Sequence, residues 1–168
     1  MYDELTPVDI QKMQEEIEYR TNTLRPQLIE DVKTARAFGD LSENFEYKAA
    51  KREKNRNDSR IRYLERMVKT ARVIDPESAP ADVVGLFDKL KIYIEEDGEE
   101  RDIQIVTTLR QNALEGLISK ESPVGKAVLG RKVGDRVPVE VSPDYSYYIV
   151  IRSLEKGMDD ASLEISKY

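Results

Sequence analysis

"ARAFGDLSENFEYKAA", residues 35–50, decides the fold. Gly39 and the polar run behind it interrupt one segment of helical period, and a second begins at once. Upstream, from Thr6 to about Ala37, apolar residues fall at Ile10, Met13, Ile17, Leu24, Leu28 and Val32, with gaps of 3, 4, 7, 4 and 4. Thr6 suits an N-cap and Pro7 the first helical position. Pro26 lies inside the pattern and should kink or split the helix. Downstream, from Asn44 to Val73, Tyr47, Ala50, Lys54, Asn57, Ile61, Leu64, Val68 and Ala71 form an unbroken heptad seam with two polar positions near its start. Two helices of roughly 30 residues each, joined by a few residues, predict an antiparallel hairpin roughly 45 Å long at about 1.5 Å per residue. Residues 38–44 are its tip.

Beyond the second helix, "IDPESAPAD", residues 74–82, carries two prolines and a shift in composition. The period then becomes two. "DKLKIYIE" (88–95) and "RDIQIV" (101–106) alternate around the turn "EDGEE". "EGLIS" (115–119), "DRVPVEV" (135–141) and "YYIVIRSLE" (147–155) supply three more strands. "SPVGKAVLG" (122–130) predicts one short helix, with Ser122 as N-cap and Gly130 as stop. The expected fold class is α+β: an N-terminal antiparallel α-helical coiled-coil hairpin plus a C-terminal antiparallel sheet with one short helix. The expected division is 1–75 hairpin, 76–82 linker, 83–156 second domain, and a polar tail, 157–168, that should fray.

Composition removes whole classes of chemistry. The 168 residues include no cysteine and no histidine, so thiolate chemistry, disulfides and the commonest general base and zinc ligand are excluded. Any metal must be a hard cation such as magnesium on carboxylates. No apolar run is long enough for a membrane span, and the acidic N-terminus lacks an apolar signal core, which together favour the cytoplasm. The net charge of −6 is unevenly spread: −6 over residues 1–47, +7 over 48–72 and −7 over 73–168. A basic block inside an acidic chain suggests a local anionic partner. Lys48, Lys51, Arg52, Lys54, Arg56, Arg60, Arg62 and Arg66 face only Glu53, Asp58 and Glu65 within that block.

The tip admits two readings. Asp40-x-x-Glu43 is close to a capping box, with Asp40 accepting from the Glu43 N–H and Glu43 reaching back. Alternatively, two carboxylates three residues apart on one face of a first turn converge on one cation. Gly39 permits the sharp turn, and the far end of a rod is a poor place to gain tertiary stability. Two carboxylates hold magnesium weakly and with waters, so a partner must complete the site.

These residues resemble the bacterial GreA/GreB family, the transcript cleavage factors of RNA polymerase, over about residues 5–156. "GDLSEN-EY--AK" matches the family's tip signature, "RIRYLERMVKTARVID" its second helix and exit, and "GLISKESPVGKAVLGRKVGD" its C-terminal signature. The resemblance implies a coiled-coil finger, an FKBP-like C-terminal domain, and a position in the polymerase's secondary channel. It implies an accessory factor, not an enzyme alone, that stimulates magnesium-dependent hydrolysis of backtracked nascent RNA near its 3′ end. Carried over by motif position, Asp40 and Glu43 hold a magnesium ion shared with the polymerase and its water. Ser42 and Asn44 support them. Arg36, Lys48, Lys51, Arg52, Lys54, Arg56 and Arg60 track the RNA. Ser119, Ser122 and Pro123 match the loop that meets the polymerase rim. The free factor is expected to be a monomer.

Three departures stand out. Phe45 occupies a position where the family usually has a small residue. The basic run after Tyr47 is dense and more GreB-like. The tail after Lys156 has no family counterpart. Beside cleavage stimulation stand a channel-binding regulator or inhibitor without cleavage stimulation, and a plain coiled-coil interaction module with Asp40 as a cap. An FKBP-like domain does not by itself imply prolyl isomerase activity. Its aromatics, Phe87, Tyr93, Tyr145, Tyr147 and Tyr148, read as core and edge residues.

Overall fold

A computed structural model describes residues 3–39, 43–76 and 79–166. The chain forms two compact units. One is Ile10–Ala71. The other combines Asp3–Asp9 with the chain from Arg72 onward, so its chain is discontinuous, whereas the composition shift alone divides the sequence near residue 75.

The first unit is the expected helical hairpin. Helix α1 (Pro7–Tyr19) runs into a five-residue π-helical turn, Arg20–Leu24, and then α2 (Arg25–Arg36); helix α3 is Phe45–Thr70. Cross-links show the antiparallel pairing: Glu16 with Arg60, Arg20 with Asn57, Arg25 with Asp58, and Arg36 with Tyr47. As one number rises the other falls. Asn57, Ile61 and Leu64 of the seam are buried as their spacing requires, and Arg60, outside the seam positions, is buried with them.

The helix is divided just ahead of Pro26, where the sequence leads one to expect it. Pro26 occupies the first turn of α2, and the irregularity is taken up just before it. There the Arg25 N–H donates to the Arg20 carbonyl, five residues back. Asn57 exploits this turn. Its Nδ2 donates to the same Arg20 carbonyl at 3.2 Å, and its Oδ1 accepts from the Arg20 guanidinium at 2.9 Å. The polar seam position is therefore paired with a helix irregularity on the opposite strand of the hairpin. Glu16 is partly buried, which raises its pKa. The Arg60 and Arg20 hydrogen bonds outweigh that and hold the carboxyl below its usual value.

The second unit is built on a five-stranded sheet. In chain order the unit's strands are β1 (Glu4–Leu5), β2 (Arg72–Val73), β3 (Lys89–Ile94), β4 (Glu99–Val106), β5 (Leu117–Ser119), β6 (Arg136–Ser142) and β7 (Tyr145–Glu155). The large sheet has the order β5-β4-β3-β7-β6. It is mixed, not antiparallel as expected: β5 pairs with β4 in parallel, Gln104 beside Leu117. Two short 3₁₀ turns, Thr108–Arg110 and Ala113–Glu115, turn the chain between them, and the period-two reading did not resolve that connection. The β1–β2 pair is a second, separate parallel ladder that two-residue strands do not announce in sequence.

Alternation buries one face of the sheet. Leu90, Ile92, Ile94, Ile103, Ile105, Val137, Val139, Ile149 and Ile151 form one cluster, closed by Val128 of helix α4 (Pro123–Val128). Each such side chain contributes roughly 1.5–3 kcal/mol on burial. Ser122 caps α4 as expected, accepting from the Gly125 N–H at 3.0 Å. Gly125 is required there, because a Cβ would lie 2.1 Å from the Ser119 carbonyl oxygen. Phe87 is a core residue, Tyr93 and Tyr147 are half-buried, and Tyr145 and Tyr148 are exposed.

Over its described residues the tail has packing and hydrogen-bond partners in the second unit. Leu163 packs on Phe87, Val106 and Leu117, and the Ser166 N–H donates to the Leu109 carbonyl at 2.5 Å. At its centre is Arg110, fully buried and absent from the sequence reading. Its Nε donates to Asp9 Oδ1 at 2.6 Å, its Nη2 pairs with Asp159 Oδ1 at 2.5 Å, and its Nη1 donates to the Asp160 carbonyl at 3.0 Å. The guanidinium also lies 5.1 Å from the centroid of the Phe87 ring. Thr6 and Asp9 cap each other reciprocally around it, the Thr6 N–H donating to Asp9 Oδ2 and the Asp9 N–H to Thr6 Oγ1. No helix among the described residues is long and apolar enough to cross a membrane.

Removing one partner from this buried cluster leaves two carboxylates without their cation. Arg110→Ala should lower unfolding stability by about 3–5 kcal/mol. Urea unfolding followed by circular dichroism checks this, and an unchanged midpoint would refute the central role of Arg110.

Candidate functional site at the hairpin turn

Helix α2 ends at Arg36, with the Ala37 N–H donating to the Lys33 carbonyl and the Phe38 N–H to the Ala35 carbonyl. Gly39 follows at φ +134°, a conformation that favours glycine. Asp40 and Ser42 lie outside the described residues, so the expected Asp40–Glu43 pairing does too. The chain re-enters at Glu43, exposed in a turn, and α3 begins at Phe45.

The cap of α3 is Asn44, not an Asp40-x-x-Glu43 box. Asn44 has extended backbone (φ −85°, ψ 92°), and its Oδ1 accepts from the Tyr47 N–H at 3.0 Å. Its Nδ2 donates to the Ala35 carbonyl at 2.6 Å. One amide thus bonds the last turn of α2, at the Ala35 carbonyl that also accepts from the Phe38 N–H, and the otherwise unpaired N–H at the start of α3. The helix start sits four residues later than the capping-box reading requires, so Glu43 precedes the cap.

The basic residues divide by environment. Arg36 reaches across the turn, its guanidinium 5.4 Å from the Tyr47 ring centroid and donating to the phenol oxygen at 3.3 Å. That hydrogen bond, with the charges of Lys51 and Arg36, holds the Tyr47 phenol below its ordinary pKa. Lys48, Lys51, Arg52 and Arg56 are exposed. The ammonium of Lys48 lies 5.6 Å from the Phe45 ring centroid and that of Lys51 6.0 Å from that of Tyr47. Lys54 pairs with Asp58 at 3.1 Å. Arg60 is 3% exposed and bound to Glu16 at 2.8 Å, which takes it off the outward basic surface and into the seam. The heptad placed Asn57 and Ile61 there but could not show which neighbour would turn inward.

Of the three residues expected to meet the polymerase rim, Ser119 and Ser122 have internal partners. Ser119 is buried, its hydroxyl 2.8 Å from that of Thr108. Ser122 donates to the Ser119 carbonyl at 2.7 Å while capping α4, and Pro123 is exposed. The sequence reading singled out Phe45 at the turn and passed over Phe38. Phe38 is 69% and Phe45 78% exposed, and together with Glu43, Asn44 and Glu46 they line a shallow open hollow.

Among the described residues no three acidic side chains converge as a metal cage. What the chain presents at the turn is an exposed Glu43 beside an asparagine-stapled helix start, with cations along the following turns.

Asn44→Ala removes both hydrogen bonds of the staple. It should cost about 1 kcal/mol and increase amide exchange at Tyr47, whereas Glu43→Gln should leave both unchanged. Hydrogen exchange followed by NMR separates the two.

Known families give this arrangement its place. Residues 4–73 match the family model described as transcription elongation factor, N-terminal, and residues 79–152 that described as transcription elongation factor, GreA/GreB, C-terminal. The transcription elongation factor GreA of Thermoanaerobacter pseudethanolicus is 46% identical over 137 residues, 82% of this chain and 87% of that protein. That of Caldanaerobacter subterraneus subsp. tengcongensis is 44% identical, with 82% and 87% covered. Among solved structures, GreA factor homolog 1 of Thermus thermophilus aligns at 24% identity and a TM-score of 0.43, covering 93% of this chain and 100% of that one. With both halves matched in order and relatives above 40% identity across most of its length, this chain belongs to the GreA/GreB family of transcription elongation factors.

Proposed function

We propose that the chain binds RNA polymerase through its secondary channel and stimulates the polymerase's own magnesium-dependent cleavage of backtracked nascent RNA. The observation that carries this reading is the cap. Asn44 caps α3, so among the described residues the helix start makes no use of the Glu43 carboxylate, which stands exposed just before it. A carboxylate without a structural task at the end of a hairpin is suited to a task supplied by a partner.

In this reading Asp40 and Glu43 face the polymerase's active centre and hold one side of a shared magnesium ion. When bound, such an ion lowers the pKa of its water and takes up charge from the phosphodiester. The carboxylates would orient a water for in-line attack. Its oxygen would bond to phosphorus as the bond to the 3′ oxygen breaks, and a proton of the water would pass to that 3′ oxygen, leaving a new 3′-OH for extension and a released fragment with a 5′-phosphate. Arg36, Lys51, Arg52 and Arg56 lie near the phosphates of the extruded strand. Two carboxylates from one chain leave most of the ion's coordination to the polymerase, which makes the protein an activator and not an enzyme by itself.

The test is a stalled, backtracked elongation complex carrying 5′-labelled RNA, with magnesium. The native protein should shorten the RNA. Asp40→Asn with Glu43→Gln should reduce the rate about hundredfold or more while leaving polymerase binding intact. If both proteins bind and neither cleaves, the chain is a channel-binding regulator and the cleavage reading fails.

A further inference from the structure

Among the described residues no core cluster takes up the exposed phenyl rings at the turn. Phe38 and Phe45 lie on the two sides of the hairpin connection, each more than two-thirds exposed, and face one hollow. Burying two phenyl rings elsewhere would stabilise the fold, yet neither contributes to a core cluster.

We propose that Phe38 and Phe45 form a stacking site for one unpaired nucleobase at the 3′ end of an RNA strand. This rests on the cleavage-stimulation reading for its location at the RNA terminus. Three observations select a nucleobase. First, flat exposed rings bind bases of any sequence through their π-faces. Second, the hollow is also lined by Glu46, an acid that the cleavage reading does not use, which repels a phosphate but can accept hydrogen bonds from the exocyclic amines of a base. The base therefore enters the hollow and its phosphate stays outside. Third, cations stand next to the hollow. Lys48 lies over the Phe45 ring, and Lys51 and Arg52 are exposed one turn further along α3. A strand whose terminal base stacks on Phe45 runs its phosphates toward these residues. Aromatic platform and basic track thus match the two halves of a nucleotide, which a loop of protein would not require.

The probe is a short single-stranded RNA with 2-aminopurine as its 3′-terminal base, titrated with the full chain at low salt. Stacking quenches the fluorophore. Phe45→Ala and Phe38→Ala should each weaken binding about tenfold and reduce the quench, whereas Phe45→Tyr should retain both. Circular dichroism confirms that each variant keeps its helices. If Phe45→Leu matches the native chain, the site is merely apolar and the proposal is overturned. It is also overturned if the alanine variants lose polymerase affinity with an unchanged oligonucleotide response, since the rings then meet protein. The RNA titration uses no polymerase. Aromatic-dependent quenching without cleavage in the backtracked complex would remove the functional reading and leave the stacking site standing.

Discussion

The fully buried guanidinium of Arg110 is the constraint on which the second unit is arranged. A charge taken out of water is tolerable only when every direction around it is answered. Here Asp9, Asp159, the Asp160 carbonyl and the Phe87 ring do so. These groups come from the start of the chain, the tail and the approach to β3. Each would be a loose segment by composition, and the charge makes them one structure. Gly157 belongs to the same construction, because a Cβ there would lie 1.9 Å from the Phe87 carbonyl oxygen. The tail passes too close for any side chain.

The hairpin uses polar contacts differently. Its buried seam is short, so its register rests on directed bonds: Asn57 with Arg20, and Arg60 and Arg20 on Glu16. Asn57 finds both its partners at one residue only because the π turn aims the Arg20 carbonyl toward it. A slip by one heptad would strand that amide in an apolar seam. The turn repeats the device at smaller scale, with Asn44 bonding both helix ends.

Much of this was legible in the sequence because it depends on period. The 3-4 spacing from Tyr47 to Ala71 gave the buried stripe, and alternation in 88–95, 101–106 and 147–155 gave three central strands. Ser122 as cap followed from a local rule about serine before proline. What escaped depends on contacts distant in sequence. Nothing near Arg110 says that residues 9 and 159 will surround it. The parallel direction of β5 depends on the route of the Thr108–Glu115 connection, not on the strand itself. At the turn, three residues earlier than Glu43 and the position of the asparagine itself both fit helix starts. Only the hydrogen bond from Tyr47 distinguishes Asn44. Arg60 read as one more exposed cation because periodicity ranks apolar residues and cannot see a buried ion pair.

The small β1–β2 ladder has a consequence for how such proteins can change. Glu4 and Leu5 run beside Arg72 and Val73, so the chain departs for the hairpin and comes back at adjacent points. In chain terms the hairpin is an insert with a closed base. Its helices can lengthen, shorten or be exchanged whole for those of another chain without re-threading the sheet. The second unit keeps both ends of the cut next to each other. A change of length between Ile10 and Ala71 therefore leaves the threading of the sheet as it is, whereas the first turn of α1, which carries Asp9, stays tied to Arg110.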